Sequence, residues 1–228
     1  MSGIKFLAKS VLSRAGALAS PATTFNLRKA ANQLEVGRWM REAGMEARRW
    51  VATREQLFDT VGAKVANERV LYLEFGVWQG AATRHWAKLL RNADSRLQGF
   101  DSFEGLPEAW NEAYPRGRFD EAGRLPAIDD PRVQFFKGWF DQTLPGHAFP
   151  EHDRLVANFD ADLYSSTKCA LDHVGPIIKV GSFLYFDELN DCDHELRALR
   201  EFIEESGMKF ALIGATPGYN HTMIERVA

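Results

Sequence analysis

Cysteine is scarce in this chain. Cys169 and Cys192 are its only two, too few for a disulfide framework and wrongly spaced for a zinc site. Both read as small buried apolar residues. No run of about eighteen apolar residues exists, so no membrane-spanning helix is expected. Charge of one sign is not in excess either. A formal net charge of -3 over 228 residues gives no electrostatic reason to expect nucleic acid as a partner. No export signal is evident, and the cytoplasm is the expected compartment. The most local absence is of acid: the first 34 residues hold no Asp or Glu, but do hold Lys5, Lys9, Arg14, Arg28 and Lys29. Ile4, Leu7, Ala8, Val11 and Leu12 recur in this basic arm at helical spacing. Such a helix suits a peripheral contact with an anionic membrane surface or imitates a transit peptide, but a partly ordered arm or an oligomer contact such as a homodimer is the favoured reading. Ser20-Pro21 ends the pattern.

What is present is ordinary globular material: 45% hydrophobic and 26% charged residues, enough for one substantial domain. The stretch from Asn26 to Val65 reads as helical, with Leu34, Trp39, Met40, Met45 and Trp50 available for packing. Residues 1–65 are therefore expected to form an N-terminal helical extension, and residues 66–228 the main domain. Within that domain short apolar runs alternate with helical stretches, the pattern of a parallel α/β sheet. The strands are expected at Val70–Phe75, Leu97–Phe100, Val133–Lys137, Leu155–Phe159, Ser182–Phe186, Phe210–Ile213 and Thr222–Val227. Helices fit at Ala81–Arg91, Ser166–Ile178 and Cys192–Ser206. Only Gly214 to His221 separates the last two strands, too short for a crossover helix, so they should pair antiparallel. The expected fold class is α/β and Rossmann-like: seven strands, mostly parallel, closed by an antiparallel C-terminal hairpin.

After the first strand comes Glu74-Phe75-Gly76-Val77-Trp78-Gln79-Gly80. Its glycines permit a tight strand-to-helix turn and a close backbone approach by a ligand, but the full G-x-G-x-x-G of a pyrophosphate site is missing. A carboxylate at Glu74 would repel pyrophosphate and attract an ammonium, such as that of the methionine part of S-adenosylmethionine (SAM). The second strand ends in Asp101, placed to accept hydrogen bonds from ribose hydroxyls. Further on, Asp160 and Asp187 each terminate a strand, and these strands should be neighbours about 4.8 Å apart. Their carboxylates and that of Glu188 would repel one another unless protonated or bound to a cation. Oxygen ligands without cysteine favour magnesium, which makes Asp160, Asp187 and Glu188 candidate ligands. Of the loop histidines, His194 is the most interesting, because it follows this acidic pair. The prolines and glycines of Gly105 to Pro131 suggest a long loop over the site, with Trp110, Tyr114 and Arg116 available to a substrate.

Four segments, Glu74–Gly80, Gly99–Glu108, Lys137–Pro145 and Asp160–Thr167, followed by Phe186-Asp187-Glu188, resemble the macrocin O-methyltransferase family in matching order. The resemblance covers about Arg69 to Arg200. It implies a SAM-dependent O-methyltransferase, usually requiring magnesium, that methylates a hydroxyl of a sugar or natural-product intermediate, a small-molecule acceptor. Carried onto this sequence, it places Glu74 and Gly76 at the methionine end and Asp101 at the ribose. Ser102 and Phe103 would flank the ribose and adenine, with Gly138, Trp139 and Phe140 toward the adenine. Asp162 becomes the candidate general base. The chain departs from the family pattern in having Asp160-Ala161-Asp162 for Asp-Gly-Asp, Asp187-Glu188 for Asp-Asp, and Ser165 where glutamate is common. From the residues alone, a nicotinamide-dependent oxidoreductase and a non-catalytic SAM-binding scaffold stay open as alternatives.

Overall fold

Six consecutive buried residues, Val70–Phe75, form β1, the central strand of the molecule. A strand with no polar alternation is what a parallel sheet covered on both faces requires. The computed structural model describes residues 2–47, 50–111 and 113–228, with side chains from residue 5 onward, so Met1 and the Ile4 side chain of the basic arm lie outside the described residues. In chain order the other strands are β2 (Arg96–Asp101), β3 (Val133–Lys137), β4 (Arg154–Phe159), β5 (Phe183–Phe186), β6 (Phe210–Ala215) and β7 (Thr222–Arg226). They make one seven-stranded sheet in the order β3-β2-β1-β4-β5-β7-β6. β1 to β5 run parallel, while β7 is antiparallel to both β5 and β6. The chain moves outward from β1 to β3, then returns to the other side of β1 as β4. That reversal leaves a crevice at the carboxyl ends of β1 and β4, where open α/β sheets bind ligands.

Side chains alternate across the sheet, and each face has its own core. Leu71, Leu73 and Phe75 belong to one buried cluster; Val70 and Tyr72 belong to the other. At the carboxyl edge of the first face, five phenylalanines stack across five strands. The rank runs Phe136, Phe100, Phe75, Phe159, Phe186, with ring centroids 4.9, 5.4, 5.3 and 5.0 Å apart and planes within 18° of parallel. Each such pair contributes about 0.5–1.5 kcal/mol beyond area burial. The rank also levels the strand ends, because each ring sits in register with its neighbours. The residues that follow, Gly76, Asp101, Asp160 and Asp187 among them, emerge at one edge.

Three helices precede β1: α1 (Ser2–Gly16), α2 (Pro21–Glu42) and α3 (Arg54–Val65). Ser20 caps α2 by accepting from the Thr23 N–H at 3.2 Å, and Pro21 occupies the first helical position, where no N–H is needed. The helix expected continuously from Asn26 to Val65 is in fact broken after Glu42. Gly44 adopts φ +69° and donates to the Arg41 carbonyl at 3.0 Å, while the Met45 N–H reaches the Met40 carbonyl at 2.7 Å. This pair of bonds is a Schellman stop, with Met40 and Met45 both buried as its hydrophobic contact. The chain then passes along the sheet edge, where Trp50 bridges to Ala215, before α3 begins. Leu57, Phe58, Val61 and Val65 of α3 share a core cluster with Tyr72 and Trp86. In contrast, Phe6, Leu7, Val11, Leu12 and Leu18 of the arm are exposed. Among the described residues, no helix is long and apolar enough to cross a membrane.

The remaining helices are α4 (Ala81–Leu89), the single turn α5 (Phe140–Thr143), α6 (Tyr164–Val174) and α7 (Glu195–Ser206). α6 starts two residues earlier than expected and gives way at Gly175-Pro176 to a 3-10 turn. Gly105 to Pro131 carries neither helix nor strand among its described residues, as its composition suggested.

Candidate functional site

A cleft of about 700 Å³ opens at the carboxyl edge, over the β1–β4 crevice. Its walls include every sequence-predicted site residue except Phe103: Glu74, Gly76, Asp101, Ser102, Gly138, Trp139, Phe140, Asp160, Asp162, Asp187 and Glu188. The Phe103 ring turns away into the core and meets Phe135 edge-on at 6.1 Å. Trp110, Tyr114 and Arg116 bring the long loop to the opposite wall.

The half of the cleft that the sequence assigns to the cofactor, the cofactor half, begins at Gly76. Its φ is +89°, and a Cβ there would lie 1.7 Å from the Asp160 carbonyl oxygen, so only glycine lets β1 and β4 close together at this point. Asp101 then ties the turn together. Its Oδ2 accepts from the Val77 and Trp78 N–H groups, both at 2.8 Å, and its Oδ1 from the Phe103 N–H at 2.7 Å. Ser102 is buried, accepting from the Glu104 N–H and donating to the Gly105 carbonyl. Beneath the turn runs a buried polar chain: Asn158 donates to the Tyr72 hydroxyl, and Tyr72 and Thr83 donate to Glu74 Oε2. Burial pushes the Glu74 carboxyl up to about 7, against the opposing pull of those two donors.

The acidic half lies across the cleft. One carboxylate oxygen from each of Asp160, Asp187 and Glu188 falls within 4.8 Å of the others. Arg54, at the first turn of α3, places Nη1 3.1 Å from Asp160 Oδ2 and 3.0 Å from Asp187 Oδ1. Asp187 Oδ1 also accepts from the Tyr185 hydroxyl and lies 3.1 Å from His221 Nδ1. Burial alone would raise the Asp187 carboxyl; the His221 contact, the Arg54 charge and Tyr185 hold it well below the usual carboxylate range. Asp160 is pushed the other way by burial and by the Asp187 charge. So is Glu188, whose Oε2 is buried without a hydrogen-bond partner. An unpartnered buried carboxylate oxygen beside two more acids is a donor set suited to a hard divalent cation.

Asp162 sits at φ +61° on the cleft wall, and its side chain accepts no hydrogen bond among the described residues. Burial, then the Asp187 and Asp101 charges, raise its carboxyl to about 7. Ala161 keeps a negative φ, so alanine in place of glycine costs no strain there. His194 is occupied, its Nδ1 accepting from the Tyr164 N–H at 3.0 Å at the start of α6. His147 packs against Phe100 and Phe136.

Sequence reasoning missed Arg54, Tyr185, His221 and Glu195. Glu195 is fully buried at the start of α7 and accepts from the Glu188 N–H at 3.0 Å. Arg54 and His221 are distant from the acids in the chain, while Tyr185 and Glu195 are near in sequence but read as ordinary strand and helix residues.

The sheet order and the cleft at its switch point define a class I methyltransferase fold. The solved structure of the O-methyltransferase NovP shares it, with 25% identity and a TM-score of 0.58 over 77% of this chain and 78% of that one. The calicheamicin methyltransferase CalS11 shares the fold at 22% identity and TM-score 0.55, covering 75% of this chain and 76% of the other. Residues 44–215 match the family model of macrocin O-methyltransferase (TylF), and the chain belongs to that family. One relative is the 8-demethyl-8-(2,3-dimethoxy-alpha-L-rhamnosyl)-tetracenomycin-C 4'-O-methyltransferase of Streptomyces olivaceus, 29% identical over 58% of this chain and 56% of that protein. Another is the mycinamicin III 3''-O-methyltransferase of Micromonospora griseorubida, 30% identical over 58% of each. The matched region thus spans little more than half the length of these curated relatives.

Proposed function

We propose that this protein is a SAM-dependent O-methyltransferase that methylates a hydroxyl of a sugar or natural-product intermediate, with magnesium held by Asp160, Asp187 and Glu188. The observation that carries the reading is the single cleft in which an Asp101-organised glycine turn faces three converging acids. Gly76 and Glu74 line the methionine end, Asp101 and Ser102 the ribose, and Gly138, Trp139 and Phe140 the adenine side. Magnesium, when bound, supplies a Lewis acid that lowers the pKa of an acceptor hydroxyl. Asp162, poised near neutrality and free of other partners, takes that proton. The acceptor oxygen then bonds to the SAM methyl carbon as its bond to sulfur breaks, releasing S-adenosylhomocysteine. A relative named for a rhamnosyl-bearing tetracenomycin supports a glycosidic acceptor.

The test is a panel of hydroxylated sugars and glycosides, followed by S-adenosylhomocysteine release with and without magnesium. Magnesium-dependent release with at least one acceptor is expected. Turnover that survives EDTA overturns the metal part, and calorimetry showing NAD binding without SAM binding overturns the whole.

For the basic arm we propose a second copy of this chain as partner. A 15-residue helix with exposed Phe6, Leu7, Val11 and Leu12 is marginal alone in water. Its charge favours an acidic surface: five cations and no acid in the first 34 residues leave the rest at -8, against -3 for the whole. Light scattering should give a dimer that becomes a monomer when residues 2–20 are removed. A monomeric full chain overturns this, and co-sedimentation with phosphatidylserine vesicles would point to a lipid surface instead.

A further inference from the structure

Arg54 has no part in the chemistry above, yet it occupies the centre of the acidic half. One of its nitrogens sits at hydrogen-bond distance from carboxylates on two different strands, Asp160 after β4 and Asp187 after β5. Those are two of the three proposed metal ligands. It does not satisfy the third, since Glu188 Oε2 remains buried and unpartnered. Magnesium would approach such oxygens to about 2.0–2.1 Å in a nearly octahedral shell. A guanidinium nitrogen with its hydrogens, 3.0–3.1 Å from two of the same carboxylates, competes for their lone pairs and for the same space.

We propose that Arg54 is the resident counter-ion of this site and is exchanged for the divalent cation. With no metal bound, the guanidinium holds Asp160 and Asp187 together against their mutual repulsion; when a divalent ion takes the two carboxylates, Arg54 withdraws. The side chain is built for this. It is the first residue of α3, on a long flexible stem, and about a quarter exposed on the cleft wall. A second acid is at hand as well, with Glu55 Oε1 3.6 Å from Arg54 Nε and half exposed to solvent. Asp187 needs no rearrangement during the exchange, because Tyr185 and His221 also hold its Oδ1. The exchange rests on the metal reading of the site.

The experiment is calorimetric titration of magnesium and of manganese into the whole protein without SAM or acceptor, for wild type, Arg54→Gln, Arg54→Lys and Asp160→Asn. Thermal midpoints are measured in EDTA and in saturating magnesium. Arg54→Gln should bind the ion about tenfold tighter than wild type, the size of one charge-assisted hydrogen bond removed from the competition. Its midpoint should be lower than wild type in EDTA and equal to it in magnesium. Arg54→Lys keeps the charge on a shorter side chain, and should fall between. Unchanged or weaker binding in both Arg54 variants, with wild type and not Asp160→Asn binding the ion, overturns the exchange and leaves the metal reading standing. No binding in any protein overturns both.

Discussion

The two halves of the cleft neutralise their carboxylates by different means. In the cofactor half, Asp101 is met by three backbone N–H groups from two adjacent turns. In the acidic half, Asp160 and Asp187 share one long side chain, and Glu188 Oε2 has no hydrogen-bond partner among the described residues. Backbone donors are part of the fold and cannot leave without unfolding a turn. A guanidinium on a flexible stem can be replaced. The cofactor half is thus pre-organised as it stands, while in the acidic half Asp187 is fixed by Tyr185 and His221 and the Asp160 side chain relies on a cation that can change.

Separability of the halves gives the largest expected effect. Asp160→Asn should lower turnover by about a thousandfold or more by removing a ligand carboxylate, while SAM affinity measured by calorimetry stays within about twofold. If SAM affinity collapses as well, the halves are one site and the contrast fails. Asp162→Asn should come next, costing about a hundredfold in turnover. Because Asp162 must be ionised to accept a proton, wild-type turnover should rise through about pH 7, and that rising limb should vanish in the variant. A limb that persists unchanged assigns the base elsewhere.

Asp101→Ala probes the other half. It leaves three N–H groups without their acceptor, which should weaken SAM binding about tenfold and lower stability by about 1–3 kcal/mol in urea unfolding. Magnesium affinity should not move. Loss of magnesium binding in this variant would show that the glycine turn also shapes the acids.

The cofactor half was the more legible in the sequence, for the same physical reason that it is pre-organised. Its residues lie within a few positions of strand ends, so strand periodicity and two glycines place them. The stacked phenylalanines that level those ends can even be read as the residue before each of Gly76, Asp101, Asp160 and Asp187. The Gly44-Met45 stop of α2 was also written locally and was overrun by a helical pattern on either side. Arg54 was not readable: its bonds to Asp160 and Asp187 span 106 and 133 residues, and nothing at Thr53-Arg54 announces a site. His221 was hidden by topology. It reaches Asp187 only because β7 inserts between β5 and β6.

Glu74 separates the halves most gently, since it lines the cleft yet is held from below by Tyr72 and Thr83. Its carboxyl titrates at about 7 in the folded protein against about 4.5 when unfolded, because burial disfavours the charged form. Between those values the folded state binds the extra proton, so stability falls as pH rises from about 4.5 through 7 and levels off above. The shift corresponds to about 3 kcal/mol over that window. Glu74→Gln mimics the neutral, protonated carboxyl and buries no charge at any pH, so urea unfolding from pH 4 to 9 should show a shallower decline than wild type, with the two curves closest at low pH. Parallel curves would mean that the folded carboxyl titrates where the unfolded one does, its charge held by a counter-ion beyond the neutral donors Tyr72 and Thr83. The cofactor half would then depend on a counter-ion just as the acidic half does.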